Sequence, residues 1–426
     1  MRPTLLKGGR LIDPSQDHDD VADLLIVDGK VEGSGKDITP PDGAEVIDAS
    51  GKVVAPGLVD IHVHLREPGR EEAETVATGA QAAAAGGFTS VCAMPNTDPV
   101  TDNQAAVGFI VKQAAAARAA RVYPIGAISV GQKGEQLAEF GEMVHAGAVA
   151  VSDDGHPVES SHLMRTALEY ALSFGIPVTE HCEDPVLAKT GVMHAGVVAT
   201  RLGLRGIPSA AEDIMVARNV LLGELTGGHI HLCHISTQRS VELIRWGKER
   251  GVNVTAEATP HHFALTHEAC DDYDTNAKMN PPLRAQSDVE AVREGLKDGT
   301  LDAVATDHAP HHYEAKDRDF DDAPFGVIGL ETALGLGLTE LVDRGYLSLP
   351  ELIHRMSTRP ANIFHLPAGT LRRGAPADVV VFDPEVRWTV DPTSFLSKSR
   401  NTPFAGWELA GRVERTLVGG EVVFSV

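Results

Sequence analysis

Short apolar runs separated by helical patterns occupy most of the middle of the chain. Each run has the length and composition of a strand that is buried on both faces. Eight such runs occur between residues 58 and 307. They cover residues 58–64, 88–94, 122–128, 148–152, 176–181, 229–235, 252–258 and 302–307.

Amphipathic helical patterns lie between most of these runs. The clear ones cover residues 103–119, 135–146, 160–174, 210–225, 238–250 and 287–298, and residues 72–85 are the best candidate in the first interval. Regular alternation of strand and helix is typical of a parallel sheet closed by crossover helices. Eight repeats of the unit predict an α/β protein whose main domain is a (β/α)8 TIM-type barrel.

The two chain ends have a different pattern, in which apolar and polar residues alternate between glycine- and proline-containing turns. LLKGGRLID and DLLIVDGKVEGSG stand near the start, and RVERTLVGGEVVF stands near the end. Alternation of this kind predicts antiparallel strands. We therefore expect both ends to form one small β-sandwich module, with residues 1–55 and 365–426 in the module and residues 56–364 in the barrel.

Composition narrows the possible partners and compartments. The net charge of −23 argues against nucleic acid or an anionic membrane as a partner. No apolar run reaches the roughly 18 residues that a membrane span needs, and the N-terminus lacks the features of a signal peptide. The four cysteines form no CxxC pair, so neither a zinc knuckle nor a disulfide framework is indicated. We expect a cytoplasmic protein.

Polar residues follow nearly all of the predicted barrel strands. In a (β/α)8 barrel the carboxyl ends of the strands form one face, and catalytic residues gather there. His62 and His64 are two residues apart on a strand, so both side chains point to the same face. Comparable strand ends carry the other candidate metal ligands, which are Asp154, His181, His234 and Asp307.

Histidine and carboxylate ligands without thiolate suit Zn²⁺ in a hydrolytic site. Six candidates exceed the ligands of one tetrahedral ion, and they fit two ions that share a bridging carboxylate. We expect one or two zinc ions per chain, with two the better fit. Asp153 and Asp154 are adjacent, and spacing alone does not separate them as the bridging residue.

Nine sequence blocks, in order along nearly the whole chain, resemble those of the bacterial type I dihydroorotases in the amidohydrolase superfamily. The blocks are PGLVDIHVHLREPG, GFTSVCAMPNTDPV, SDDG, EHCED, CHIST, TAEATPHH, KMNPPLR, ATDHAPH and APFGVIGLET. The resemblance implies a zinc-dependent cyclic amide hydrolase of pyrimidine biosynthesis. Its reaction would be the reversible cyclisation of N-carbamoyl-L-aspartate to L-dihydroorotate plus water, with a zinc-bound hydroxide as nucleophile in the ring-opening direction.

The resemblance also implies a role for each site residue. His62, His64 and Asp307 would bind one metal, His181 and His234 the other, and Asp154 would bridge them. Asp307 would also be the catalytic proton shuttle. The implied substrate contacts are His64, Arg66, Asn96, Asn280, His311, Phe325 and Gly326, with Arg66, Asn96 and His311 on the substrate carboxylate.

Other histidines lie close to these blocks without an implied ligand role. We interpret His261, His262, His308 and His312 as orienting or structural residues, and we expect His229 and His231 to be packed within their strand. The charged segment 311–323 is either a loop that closes over the site or a solvated surface loop.

Alternative functions remain open from the sequence. The alternatives to a dihydroorotase are a hydantoinase, dihydropyrimidinase or allantoinase, or a structural partner of aspartate carbamoyltransferase. The presence of all six ligand candidates argues against a structural partner that has lost its catalytic site. A catalytic chain that associates with the transferase, or with a second copy as a homodimer, is compatible with the sequence.

Overall fold

The computed structural model describes residues 2–426. Its strands alternate with helices through the middle of the chain and follow one another directly at both ends. The strands are β1 (Thr4–Asp13), β2 (His18–Val27), β3 (Lys30–Gly35), β4 (Glu45–Asp48), β5 (Val53–Pro56), β6 (Leu58–Val63), β7 (Phe88–Ala93), β8 (Arg121–Pro124), β9 (Val151–Ser152), β10 (Val178–Glu180), β11 (Met193–His194), β12 (Gly206–Ile207), β13 (Ile230–Leu232), β14 (Val254–Ala258), β15 (Ala303–Val304), β16 (Val379–Thr389), β17 (Glu408–Val418) and β18 (Glu421–Ser425).

The helices include those that the apolar periodicity predicts. They are α1 (Val76–Ala85), α2 (Gln104–Ala117), α3 (Phe140–Ala146), α4 (Ser161–Leu172), α5 (Pro185–Ala188), α6 (Val197–Leu202), α7 (Ala210–Thr226), α8 (Gln238–Glu249), α9 (Pro260–Ala264), α10 (Gln286–Asp298), α11 (Tyr313–Lys316), α12 (Ala333–Gly337), α13 (Leu349–Ile353) and α14 (Arg359–Ile363). Within residues 2–426, no helix combines the length and apolar character needed to cross a membrane.

Side-chain caps explain where several of these helices begin. The Asn103 side chain accepts hydrogen bonds from the backbone N–H groups of Ala105 and Ala106 at the start of α2. Thr237 accepts from the N–H of Ser240 at the start of α8. Such caps satisfy backbone donors that the first helical turn leaves without partners. The helices therefore begin immediately after polar residues that end the preceding loops.

Every one of the eight predicted barrel runs contains a strand, and neighbouring strands pair in parallel. The pairs form one ladder of β6, β7 and β8 and a second ladder of β9, β10, β13, β14 and β15. Within residues 2–426 these are two ladders rather than one continuous ladder. Isolated parallel bridges join them at both outer edges, between Gly126 and Val151 and between Val63 and His308.

The chain ends form one sheet, which differs in detail from the prediction. Its strand order is β18-β17-β16-β5-β1-β2-β3, and β4 pairs with β1. The sandwich is not confirmed, because within residues 2–426 all of these strands belong to one hydrogen-bonded sheet. Most neighbouring strands of this sheet pair antiparallel as predicted, whereas β4 and β5 run parallel to β1. Residues 36–44 carry the chain from β3 back across the sheet before β4 begins.

Candidate metal centre

The six predicted metal ligands come together at the carboxyl ends of the parallel strands. His62 lies on β6 and His64 follows it, while the others follow β9, β10, β13 and β15. All six side chains are buried, and His62 is completely enclosed. The fold thus brings residues that are up to 245 positions apart into one cluster.

The ligand atoms fall into two groups that each suit one metal ion. One group contains His62, His64 and Asp307, and the other contains Asp154, His181 and His234, with the atoms of each group within 4.8 Å of one another. His64 Nε2 lies 2.9 Å from Asp307 Oδ1, and His181 Nδ1 lies 2.9 Å from His234 Nε2.

The Asp154 carboxylate lies between the two groups. Its Oδ2 atom is 3.4 Å from Nε2 of both His62 and His64. Its Oδ1 atom is 3.4 Å from His234 Nε2 and 3.8 Å from His181 Nδ1. One oxygen therefore faces each group, which is the arrangement of a bridging carboxylate.

The Asp153 side chain points away from the histidines. The structure therefore distinguishes Asp154 from Asp153 as the candidate bridging residue, a choice that sequence spacing left open. Its carboxylate accepts hydrogen bonds from the backbone N–H groups of Ile128 and Ser129 and from the Ser129 hydroxyl. Adjacent residues in an extended segment point to opposite sides. Asp153 therefore anchors the loop after β8, and Asp154 faces the histidines.

Unpartnered polar atoms and interatomic spacing both show that the cluster fits metal ions. Among the described residues, His62 Nε2 and Asp154 Oδ1 are buried without a hydrogen-bond partner. Such atoms are costly unless something binds them. Two ligands of one tetrahedral zinc ion, with bonds of about 2.0–2.1 Å, stand ~3.4 Å apart. The separations between the side chains of this cluster are close to that value.

A further group of possible ligand atoms combines Cys233 with His62 and Asp154. Burial raises the pKa of the Cys233 thiol, so the sulfur keeps its proton. The thiolate is the form that ligates metals. Cys233 is therefore a small buried residue beside the cluster rather than a candidate ligand.

Two neighbouring side chains orient the ligand histidines. Glu257 Oε1 lies 2.6 Å from His62 Nδ1, and Asn96 Oδ1 lies 2.8 Å from His64 Nδ1. Burial alone would raise the pKa of Glu257, but the charge of His62 and hydrogen bonds from His231 and His62 lower it to about 2. Glu257 was not predicted from the sequence, although a carboxylate in the apolar strand VTAEA is a recognisable signal.

Neighbouring groups lower the pKa of both carboxylates of the cluster. Burial alone would raise the pKa of Asp307, but the charge of His62 and the hydrogen bond from His64 hold it below its ordinary value. The pKa of Asp154 is also lowered, because His62 and His234 outweigh the effect of burial. Both residues therefore present negative oxygens that suit a cation.

A cavity of about 300 Å³ opens beside the cluster. All of the predicted substrate contacts line it, together with several of the metal ligands. The predicted contacts are His64, Arg66, Asn96, Asn280, His311, Phe325 and Gly326. The structure therefore brings them together around one space of a size suited to a small ring compound.

Arg66 is a buried cation that lines this cavity. Its side chain is 7% exposed, and its Nε–H donates to the Pro310 carbonyl at 3.1 Å. The rest of the guanidinium faces the cavity without a salt-bridge partner among the described residues.

Arg66, His234 and Asp307 adopt the left-handed backbone conformation, with φ of 62°, 34° and 46°. Non-glycine residues rarely adopt it, and such strained positions concentrate at functional sites.

His311, predicted to contact the substrate carboxylate, lines the cavity and is hydrogen-bonded to its wall. Its Nε2 atom lies 2.7 Å from the Phe325 carbonyl oxygen, so Nε2–H donates there. Burial lowers the pKa of His311 to about 2, which leaves the ring neutral. A neutral ring that donates from Nε2 has only an acceptor at Nδ1. In this conformation His311 therefore holds Phe325 and offers no second donor to a carboxylate.

Asn401, from the C-terminal part of the chain, shapes the same wall of the cavity. Its side-chain amide donates to the carbonyls of Ala309 and Gly326, at 3.0 Å in both cases, and its oxygen accepts from the N–H of His311. Gly326 has φ of 150°, and an added Cβ would lie 2.6 Å from the Ala309 oxygen. Sequence reasoning missed Asn401 because it follows no barrel strand and belongs to none of the nine sequence blocks.

Buried lysines anchor the charged segment 311–323. Lys316 on α11 donates to the carbonyls of Thr275 and Pro324, at 2.8 and 2.9 Å. Lys278 donates to the Asp321 carbonyl at 3.1 Å. The segment is therefore held against the wall of the cavity in this conformation, rather than projecting freely into solvent.

The remaining histidines differ in their surroundings. His308 Nε2 lies 3.3 Å from Glu74, and His262 contacts Thr259 and the Pro281 carbonyl. His312 is half-buried and lies near Glu314. Among the described residues, His261 Nε2 is buried without a hydrogen-bond partner.

The chain is similar to known proteins in both sequence and structure. The family model described as dihydro-orotase-like matches residues 51–240, and one described as the amidohydrolase family matches residues 284–424. A dihydroorotase of Geobacter metallireducens is 54% identical over 420 residues, covering 99% of both chains. One of Pelotomaculum thermopropionicum is 56% identical over 419 residues, covering 98% of both chains.

Solved structures of a hydantoinase and a dihydropyrimidinase have the same overall fold. An L-hydantoinase (dihydropyrimidinase) from Arthrobacter aurescens has a TM-score of 0.88 at 27% identity, covering all of this chain and 96% of the other. A dihydropyrimidinase from Brevibacillus agri has a TM-score of 0.86 at 26% identity, covering 99% and 95%. The backbone is therefore shared with enzymes whose sequences have diverged widely from this one.

Proposed function

The chain belongs to the dihydroorotase family of the amidohydrolases, and we propose that it catalyses the reversible cyclisation of N-carbamoyl-L-aspartate to L-dihydroorotate and water. It is a hydrolase that acts on a small molecule. The observation that carries the proposal is the buried Arg66 guanidinium, which shares one cavity with the His/Asp cluster. Dihydroorotate needs both features, because it has an amide bond to cleave and a carboxylate to bind.

We propose that the site holds two zinc ions. His62, His64 and Asp307 would hold one ion, His181 and His234 the other, and the two oxygens of Asp154 would bind one ion each. The unpartnered buried atoms of His62 and Asp154 support this assignment. When bound, the metal would polarise the amide carbonyl and lower the pKa of water toward neutrality.

The two parallel ladders are interpreted as one closed (β/α)8 barrel. The bridges at both outer edges support this, and so does an apolar cluster that combines residues from several strands. Val59, Cys92, Ile125 and Ala303 belong to that cluster, and Phe364 after α14 packs among them. We retain residues 1–55 and 365–426 as the limits of the β module and residues 56–364 as those of the barrel.

Arg66 and the opposite wall of the cavity would position the substrate. The Arg66 guanidinium matches a carboxylate in shape and charge. Asn280 and the backbone at Phe325 and Gly326 would bond the amide edge of the ring. Asn280 Oδ1 is buried without a hydrogen-bond partner among the described residues, which supports its role as an acceptor for a ring N–H. Asn96 and His64 border the carboxylate end.

Asp307 would carry the proton during catalysis. In ring opening, an oxygen derived from water adds to the ring carbonyl carbon, and the bond from that carbon to the ring nitrogen breaks. The proton released by the water would pass to the Asp307 carboxylate and from there to the departing nitrogen. Ring closure would reverse each transfer and release water.

A hydantoinase or dihydropyrimidinase is the second candidate, because solved structures of those enzymes share this backbone. Arg66 favours dihydroorotase, since hydantoin and dihydrouracil have no ring carboxylate for it to bind. The complete set of six ligands argues against a purely structural partner of aspartate carbamoyltransferase. A homodimer and an association with that transferase remain predictions, and so does the cytoplasmic location that the composition indicates.

Metal-loaded protein incubated with N-carbamoyl-L-aspartate provides the test. We expect L-dihydroorotate to form until equilibrium is reached, and we expect the same mixture when the reaction starts from dihydroorotate. A matched sample treated with a chelator should lose this activity and regain it when zinc is added. Absence of interconversion by protein that carries its metal would contradict the proposal.

A further inference from the structure

A continuous chain of hydrogen-bonding side chains leads from the amino ends of the barrel strands to the metal cluster. His229 Nε2 lies 2.8 Å from Thr255 Oγ1, which lies 2.9 Å from His231 Nδ1. His231 Nε2 lies 3.1 Å from Glu257 Oε2, and Glu257 Oε1 lies 2.6 Å from His62 Nδ1. We refer to these five residues as the polar column.

Strand register explains why the polar column is continuous. His231 on β13 pairs with Thr255 on β14 in a parallel ladder. His229 and Glu257 each lie two positions from one of these paired residues, so their side chains share the same face. Four side chains therefore alternate between the two neighbouring strands, and Glu257 at the far end reaches His62 on β6.

Four of the five residues of the polar column are buried. His62, His231 and Glu257 have no exposed surface, and Thr255 is 6% exposed. Only His229, at the amino end of β13, is half-buried. Buried polar groups of this kind are retained at a cost unless every donor has an acceptor.

A metal ion on His62 Nε2 would fix the position of every proton in the polar column. His62 must then carry its proton on Nδ1 and donate to Glu257. A carboxylate only accepts, so His231 must also donate to it, from Nε2. The bare Nδ1 of His231 then accepts from the Thr255 hydroxyl, whose oxygen accepts from His229 Nε2–H. All contacts are satisfied with neutral rings and an ionised Glu257.

Glu257 touches both halves of the cluster. Besides the ring of His62, its Oε1 atom accepts the backbone N–H of His234 at 3.3 Å. His234 belongs to the other group of ligand atoms and has φ of 34°. One carboxylate therefore orients a ligand in each group.

We propose that Glu257, His231 and Thr255 are positioning residues that act through His62. The polar column holds His62 as the Nδ1–H tautomer, so that Nε2 stays free for a metal ion, and it thereby sets the metal affinity from within the barrel core. This inference rests on the proposed metal centre. It adds that residues well below the cavity, with no contact to metal or substrate, control the state of one ligand.

Histidine tautomers give the most direct test. Zinc-loaded protein with ¹⁵N-labelled histidine is examined by two-bond ¹H–¹⁵N correlation, and the His231→Gln variant identifies the His231 signals by their loss. We expect neutral His231 with its proton on Nε2. A proton on Nδ1, or on both nitrogens, would overturn the inference.

Glu257→Gln makes a prediction that a purely structural role does not. A glutamine side chain accepts at its oxygen and donates at its nitrogen. With the oxygen toward His62, its nitrogen must face His231, which then accepts at Nε2 and carries its proton on Nδ1. We expect this reversal of the His231 tautomer, together with a 10–100-fold loss of zinc affinity, as is typical for partners that orient metal ligands. An unchanged His231 tautomer and unchanged affinity would contradict the inference.

Thr255 offers a matched pair of variants one step further from the metal. Thr255→Val keeps the shape and removes the hydroxyl, while Thr255→Ser keeps the hydroxyl. With zinc competition against a chromogenic chelator, we expect Thr255→Val to weaken binding about threefold to tenfold, less than the loss of a direct orienting partner. Thr255→Ser should remain within about twofold of the parent. Equal affinities for the Val and Ser variants would overturn the role of the hydroxyl.

Failure of this inference is distinguishable from failure of the proposed function. Zinc-bound protein that interconverts carbamoyl aspartate and dihydroorotate, but has the wrong His231 tautomer, overturns only the polar column. Zinc-bound protein with the expected tautomer and no turnover contradicts the proposed function and leaves the polar column supported.

Discussion

Replacing Arg66 with glutamine should reduce activity on dihydroorotate far more than activity on dihydrouracil. The two rings differ in the carboxylate, and Arg66 is the buried cation that faces it in the proposed complex. Glutamine retains polarity and much of the length of the side chain but has no charge. The variant therefore removes the ion pair while changing the shape of the cavity little.

The size of the effect follows from the burial of Arg66. Removing one partner of a buried, hydrogen-bonded charge pair costs about 2–5 kcal/mol. Every 1.4 kcal/mol is a factor of about ten, so the range corresponds to about 30-fold or more. Arg66 is 7% exposed, but the cavity beside it is open to water. We therefore expect a loss of about 30-fold to 100-fold in kcat/KM for dihydroorotate.

Steady-state kinetics on both substrates, with Arg70→Gln as a control, separate this contact from general electrostatics. Arg70 lines the same cavity but is exposed, so its loss removes equal charge from the opening without removing the proposed contact. We expect the Arg70 variant to lose less than about fivefold, since exposed charges are screened. Equal losses on both substrates, or equal losses for both arginine variants, would refute the reasoning.

Other perturbations test the remaining parts of the site and fold. Asp307→Asn should lower kcat by at least 100-fold, the scale of general acid–base catalysis, with an unchanged circular dichroism spectrum, and retained turnover would exclude the shuttle. Asp154→Asn should lower the zinc content measured by elemental analysis, because an amide offers only one ligating oxygen, and full content would argue against bridging. Asp302→Asn should destabilise the protein by about 1–3 kcal/mol in denaturant unfolding, because it leaves the half-buried Lys248 and Arg359 without their carboxylate. Burial alone would raise the folded-state pKa of Asp302, but the charge of Lys248 lowers it. The stability that the Asp302 carboxylate contributes is therefore present above its unfolded pKa of about 3.9 and is lost at more acid pH. The stabilities of the parent protein and the Asp302→Asn variant should converge there.

Local patterns were sufficient to predict the strands and their polar ends. The runs that contain β6 to β10 and β13 to β15 are apolar and short, and His62 with His64 identifies the inward face of the first one. Each predicted ligand lies at or just after the end of an apolar run, so its position at a strand end can be read from the sequence alone. Parallel pairing then brings those ends together, because all carboxyl ends of such strands lie at one face.

Features that depend on pairing between distant segments could not be predicted in the same way. The choice of Asp154 over Asp153 depends on which way the strand end faces, and one residue of slippage would reverse it. His231 and Glu257 lie within two of the predicted strands, but the contact between their side chains depends on the register of β13 with β14. The single sheet of the chain ends similarly depends on β5, which pairs with both β1 and β16.

In the proposed function, this cavity selects a cyclic amide that carries a carboxylate. Zinc-loaded protein assayed side by side on dihydroorotate, dihydrouracil, hydantoin and allantoin measures that selectivity directly. We predict that kcat/KM for dihydroorotate exceeds each of the others by at least about 30-fold, the contribution assigned to the Arg66 contact. A higher kcat/KM for any of the three rings without the carboxylate would contradict the account.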